Sequence, residues 1–148
     1  MRAGLAVKFI VATVIVVAVA QVSPMAHHSF IAEFDGNKSI EFKDATVTKL
    51  MLTNPHTWIY VDVTMPDGTV QNWGVEAGSP ISLMKRGFAK DQLKVGTKIV
   101  VFGYLARDGS HRMNGRDLTY PDGKKLFLSS GGTGAPGEIE RPGVDTDK

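Results

Sequence analysis

The chain has 148 residues, a length that suggests one domain. Its 17 basic residues stand against 15 acidic ones, but two of the basic ones, Arg2 and Lys8, sit near the start and the remainder balances at zero, so no basic field is left to attract nucleic acid. Cysteine is absent, which excludes disulfides, thiolate metal sites, thiol nucleophiles and a lipid anchor on cysteine.

Residues 1–26 read as a secretory signal peptide. Arg2 and Lys8 make a basic start, residues 9–20 are apolar apart from Thr13, and small residues follow. The apolar run is about twelve residues, short of the roughly eighteen of a spanning helix. The expectation is export to the periplasm, with no stable membrane insertion after cleavage. Two cuts compete. Ala18-Val19-Ala20 fits the small-x-small rule and would leave Gln21 first. A cut after Ala26 gives a more usual polar spacer over residues 21–26, with Pro24 as its flaw. That second cut makes His27 the mature N-terminus, placing an amine and an imidazole on one residue beside the imidazole of His28.

Residues 27–38 form an N-terminal segment. Phe30, Ala32 and Phe34 alternate with Ile31 and Glu33 as in a short strand, and Asp35-Gly36-Asn37 is turn chemistry. Residues 39–52 read as a long strand. Ile40 and Phe42 share a face, then the phase slips to Ala45 and Val47; a bulge near Asp44 explains the slip.

Residues 57–64 and 69–77 are two strands joined by Pro66-Asp67-Gly68. A two-residue Asp-Gly loop would oppose Asp62 to Trp73 and mix polar with apolar. A three-residue loop, with Gly68 in the left-handed bulge position, opposes Met65 to Thr69, Val61 to Trp73, Ile59 to Val75 and Trp58 to Glu76. Only this register sorts the faces. The inner face is then Ile59, Val61, Val63, Trp73 and Val75. The outer face carries His56, Trp58, Tyr60, Asn72 and Glu76.

Ser79 and Pro80 open a short helix as N-cap and first helical residue; Ile81, Met84 and Phe88 follow at helical spacing and Gly87 closes it. Residues 94–97 turn into a strand over 98–106. Arg107-Asp108-Gly109 leads to a strand over 110–120, and Pro121-Asp122-Gly123 to a last short strand over 124–128. From Ser129 the chain is Ser, Gly, Pro and charge, the composition of a disordered tail over 129–148.

Three strands, a short helix and two more strands is the order of an oligonucleotide/oligosaccharide-binding (OB) barrel. The predicted fold is therefore all-β with one short helix, a small five-stranded OB-like barrel over residues 39–128 that binds on the face of its second and third strands. A β-sandwich is the alternative, although about 90 residues are few for one.

Chemistry concentrates in few residues. Imidazole and amine nitrogens suit copper(II), which favours tetragonal nitrogen sites. His27 and His28 are the candidate ligands, with His56 as third partner and His111 as a further histidine. Zinc fits less well, because no closed four-ligand set is visible. His56 lies in Asn54-Pro55-His56-Thr57-Trp58, where Pro55 holds Asn54 extended before the second strand. It reads either as a corner whose polar groups bond local backbone, or as part of a surface site with Trp58 and Glu76. Trp58, Tyr60, Asn72 and Glu76 form the candidate contact face for an envelope protein, a glycan or another small ligand. Packing of Phe30 and Phe34 over Trp58 and Tyr60 would make that face a second small core instead. No Gly-x-Ser-x-Gly elbow follows from Ser29, no phosphate loop or dinucleotide fingerprint is present, and Glu76 and Asp62 beside strand aromatics read as solvated. The expectation is a binding module and not an enzyme.

The strings His27-His28-Ser29-Phe30 with Glu33-Phe34-Asp35, Asn54-Pro55-His56-Thr57-Trp58, and Trp73-Gly74-Val75-Glu76 with Gly78-Ser79-Pro80 resemble an uncharacterised family of exported proteobacterial proteins, domain of unknown function 6152. Leu93-Lys94-Val95-Gly96 and Arg107-Asp108-Gly109-Ser110 look like it as well. The resemblance covers roughly residues 27–128. It implies export, a barrel-like core and a leader cut directly before His27. It implies no established activity.

Overall fold

The structure is a computed structural model and describes residues 30–129 and 134–136. His27 and His28, the leader and most of the tail lie outside the described residues. The elements in chain order are α1 (Phe30–Glu33), β1 (Phe34–Met51), β2 (Thr57–Thr64), β3 (Val70–Ala77), α2 (Pro80–Lys85), a 3-10 turn (Lys90–Gln92), β4 (Lys98–Ala106), β5 (Arg112–Thr119) and β6 (Lys125–Phe127). The fold is mostly β. Among the described residues its six strands lie in the order β3-β2-β1-β4-β5-β6, with a further pairing of β3 to β5. That pairing is parallel and the rest are antiparallel. No helix among the described residues is long and apolar enough to cross a membrane.

The β2–β3 hairpin has the register that sorts the faces: Ile59 opposes Val75, Val61 opposes Trp73 and Trp58 opposes Glu76. The Met65 N–H donates to the Thr69 carbonyl at 2.8 Å, and Gly68 takes φ +83°, the left-handed value the bulged loop requires. Asp67 Oδ1 accepts from the Thr69 N–H at 2.9 Å and tightens the turn. All five residues expected on the inner face are buried.

β1 is long because it serves two partners, pairing with β4 along its first part and with β2 along its last. Its pairing with β4 slips between Phe42 and Ala45, where the hydrophobic phase changes, and its pairing with β2 slips between Val47 and Lys49. The bulge near Asp44 is thus present. The main core gathers Phe42, Val47, Ile59, Val61, Trp73, Val75, Leu83, Phe88, Val101, Met113, Leu118 and Leu128 with their neighbours.

Two expectations need correction. Residues 30–33 form one helical turn, not a strand, and β1 begins at Phe34. Alternation over five residues does not settle period on its own, and this turn folds Phe30 back onto Phe34, with ring centroids 5.9 Å apart. Asp35-Gly36-Asn37 lies within β1, where the pairing with β4 shifts between Phe34 and Ser39; Asp35 Oδ1 accepts from the Asn37 N–H at 3.1 Å. The turn chemistry therefore produces an irregularity in a strand. In α2, Ile81 and Met84 are 63% and 53% exposed, whereas Leu83 and, just beyond the helix, Phe88 are buried. A six-residue helix capped by Ser79 touches the sheet along one narrow line, and Leu83 occupies it.

Candidate functional site

His56 immediately precedes β2 in a corner where the Asn54–Pro55 peptide is cis and Thr53 Oγ1 donates to the His56 carbonyl at 2.9 Å. The corner turns the imidazole onto the outer face of the sheet. There its Nδ1 lies 2.8 Å from Oε1 of Glu76. Both side chains are largely buried, with exposures of 13% and 9%. His56 therefore both stands in the local corner and contacts Glu76 across the hairpin. The expectation that Glu76 is solvated is overturned.

Burial, and secondarily the negative charge of Glu33, pushes the Glu76 carboxyl up to about 7, against the opposing pull of Arg112. The contact with His56 works in either form of the acid. An ionised Glu76 accepts from Nδ1–H, and a protonated Glu76 donates to a bare Nδ1.

The cross-strand neighbours of Glu76 come from β2 and β5. Trp58 stands opposite it on β2 and Asn114 opposite it on β5. Val75 and Met113, one residue earlier on each strand, are fully buried in the core, so Glu76 and Asn114 share the outer face. Asn114 is nevertheless only 6% exposed, and its Oδ1 has no hydrogen-bond partner among the described residues. Arg112, two residues before it, is held by its surroundings: Nη2 donates to Asp108 Oδ2 at 2.8 Å, Nε donates to Ser110 Oγ at 3.0 Å, and Nη1 lies 3.8 Å from the Glu33 carboxylate. The Ser110 hydroxyl and N–H, then the Arg112 guanidinium, hold Asp108 down at about 2.

The Trp58 and Tyr60 rings are half-buried and stack with centroids 6.4 Å apart and planes at 24°. They lie over Gly74, where a Cβ would meet Trp58 Cζ3 at 3.4 Å and Tyr60 Cε1 at 3.6 Å. Gly74 thus leaves space beneath the two rings for a methyl group but little more. Lys49 Nζ stands 5.6 Å from the Tyr60 centroid. Phe30 and Phe34 do not pack with this stack; their cluster is built on Tyr104 and Ala106 of β4.

Two of the expected residues lie apart from this centre. Asn72 Nδ2 donates to Asp62 Oδ1 at 2.7 Å and to Thr48 Oγ1 at 3.1 Å, which ties it to the far end of the hairpin. His111 is exposed and stacks on Trp73 with centroids 5.0 Å apart. Among the described residues no three His, Cys, Asp or Glu side chains gather as a metal-holding group. Asn114, Arg112 and Glu33 join the site without having been singled out from the sequence. Their placement depends on the parallel pairing of β3 with β5, and no local pattern announces such a pairing.

The molecule is thus a small β-rich domain that carries a buried histidine–carboxylate pair beside an aromatic stack on one outer face. The chain belongs to the family of unknown function DUF6152, whose model matches residues 13–115, a span that includes His27, His28, His56, Trp58, Glu76 and Asn114. No curated protein and no solved structure matches it.

Proposed function

We propose that this chain is an exported periplasmic binding module on an OB-type barrel, and that it holds copper(II) through His27, His28 and His56. The barrel reading draws support from the pairings. β1 pairs with β2, β2 with β3, β3 with β5, β5 with β4 and β4 with β1, and α2 falls between the third and fourth strands. The composition of residues 1–26 supports export.

One observation carries the copper reading: the 2.8 Å contact between His56 Nδ1 and Glu76. A carboxylate on one ring nitrogen orients the imidazole and makes the other nitrogen the electron-pair donor, as is usual at histidine ligands of metals. His56 alone does not make a site, and the N-terminal pair supplies the further nitrogens. They lie just before α1 in the chain. His28 and His27 precede Phe30 by two and three residues, about 7 and 10 Å of extended chain. Glu33, at the end of the same helical turn, is near enough to Glu76 to raise its carboxyl.

Isothermal calorimetry with copper(II) tests the reading on secreted protein whose intact mass starts at His27. One tight ion per chain is expected, with affinity falling at least tenfold in His56→Ala and in a chain with one extra residue before His27. Unchanged affinity in both ends it.

A second reading rests on the Trp58–Tyr60 stack. A stacked aromatic pair on a strand face suits a sugar ring or an envelope protein, without metal. Tryptophan fluorescence during titration with soluble cell-wall glycan fragments tests the sugar case. A saturable shift that is lost in Trp58→Ala supports it, and no shift ends it.

A further inference from the structure

We infer that the outer face of β1 and β4 is a docking slot for this chain's own Ala135 and Pro136, and that these two residues strap α1 in place against the site. The slot is separate from the main core. It consists of Phe30, Phe34, Tyr104 and Ala106, with Ala135 buried among them. Phe30 meets Tyr104 edge-on at 5.4 Å, and Phe102 meets the same ring at 5.8 Å. Aromatic-lined grooves are a recurrent means of holding proline-containing segments.

Two further details fit this occupant. The Tyr104 hydroxyl donates to the Pro136 carbonyl at 3.3 Å. Gly36 faces the Pro136 ring so closely that a Cβ would stand 2.9 Å from Pro136 Cγ and 3.3 Å from Cδ. Apolar slot, hydroxyl and bare glycine thus all match the same two residues.

The strap bears on the site through α1. Phe30 begins the turn and forms one wall of the slot, while Glu33 ends it and lies 3.8 Å from the Arg112 guanidinium. The turn has another anchor, since Arg107 Nε donates to the Ile31 carbonyl at 2.8 Å and its N–H donates to the Glu33 carbonyl at 2.8 Å. Arg107 holds the backbone of the turn from β4; Ala135 and Pro136 hold its aromatic side.

Hydrogen exchange read by mass spectrometry on the full-length, metal-free protein tests the strap, so the result is independent of the copper reading. Ala135→Asp puts a charge into the apolar slot, and Gly36→Ala crowds the proline ring. Each is expected to speed exchange at least tenfold in a peptide covering residues 30–35, with peptides from β2 and β3 unchanged. Adding Pro136→Ala to Gly36→Ala should restore protection by returning the space. Unchanged exchange over residues 30–35 in either single variant overturns the strap. So does equal acceleration in β2 and β3, or a failure of Pro136→Ala to restore protection.

Discussion

Glu76 keeps its carboxylate 2.8 Å from the His56 ring although it projects from the sheet face opposite the core. Burial on an outer face makes each partner dependent on the other. His56→Ala leaves a buried acid without its ring partner and is expected to cost about 1–3 kcal/mol. Urea unfolding measures this. Glu76→Gln retains a hydrogen-bonding group at the ring and should cost less; an equal or larger loss in Glu76→Gln would show that ionic attraction dominates the pair.

Stability should also depend on pH through Glu76. Its carboxyl is raised from 4.5 to about 7 in the folded protein. Between those values the folded state holds a proton that the unfolded chain has released. Stability from this group is therefore fully present below about 4.5 and is lost as pH rises through about 7, an effect on the order of 3 kcal/mol. Glu76→Gln cannot titrate. The stability of Glu76→Gln relative to wild type should rise between pH 5 and 7.5, and a flat difference would show that the acid is not perturbed. Metal-free protein is the sample for this comparison.

Asn114 buries an acceptor that no group among the described residues satisfies. Asn114→Leu removes the unpaired group at similar volume and is expected to raise stability by about 1 kcal/mol. Thermal melts of the two proteins decide it. A loss of similar size would mean that the amide has a partner in solution, such as an ordered water.

Gly74 underlies the aromatic pair at ordinary van der Waals distance from both rings. Gly74→Ala should fit with little change, because its methyl only touches the rings. Gly74→Val adds branches that must lift Trp58 or Tyr60, at a cost of about 1–3 kcal/mol. Near-ultraviolet circular dichroism should lose part of its tryptophan signal in Gly74→Val alone.

Much of the fold was legible along the chain. Pro66-Asp67-Gly68 set the hairpin loop, and alternation from Trp58 to Glu76 selected one register, since a slip by one residue would have turned Trp73 outward. The phase change between Phe42 and Ala45 marked the bulge in β1. In the site, the pairing of Trp58 with Glu76 and the place of His56 beside them followed from that same register. The helical turn at residues 30–33 was less legible, because five alternating residues fit more than one period.

By itself, then, the sequence determined most of the strands, their facing and the hairpin register, because these depend on neighbours in the chain and on a period of two. The tertiary structure alone decided which part of the outer face lies buried. Alternation separates inside from outside but carries no record of what lies across the outside. Glu76 became buried because the parallel β3–β5 pairing sets it beside Asn114 and a corner of the chain turns His56 onto it. Phe30 and Phe34 went to Tyr104, leaving the Trp58–Tyr60 stack apart from their cluster, because the turn of α1 meets Ala135 and Pro136 on β4. Those contacts join segments far apart in sequence, and only the assembled chain brings them together.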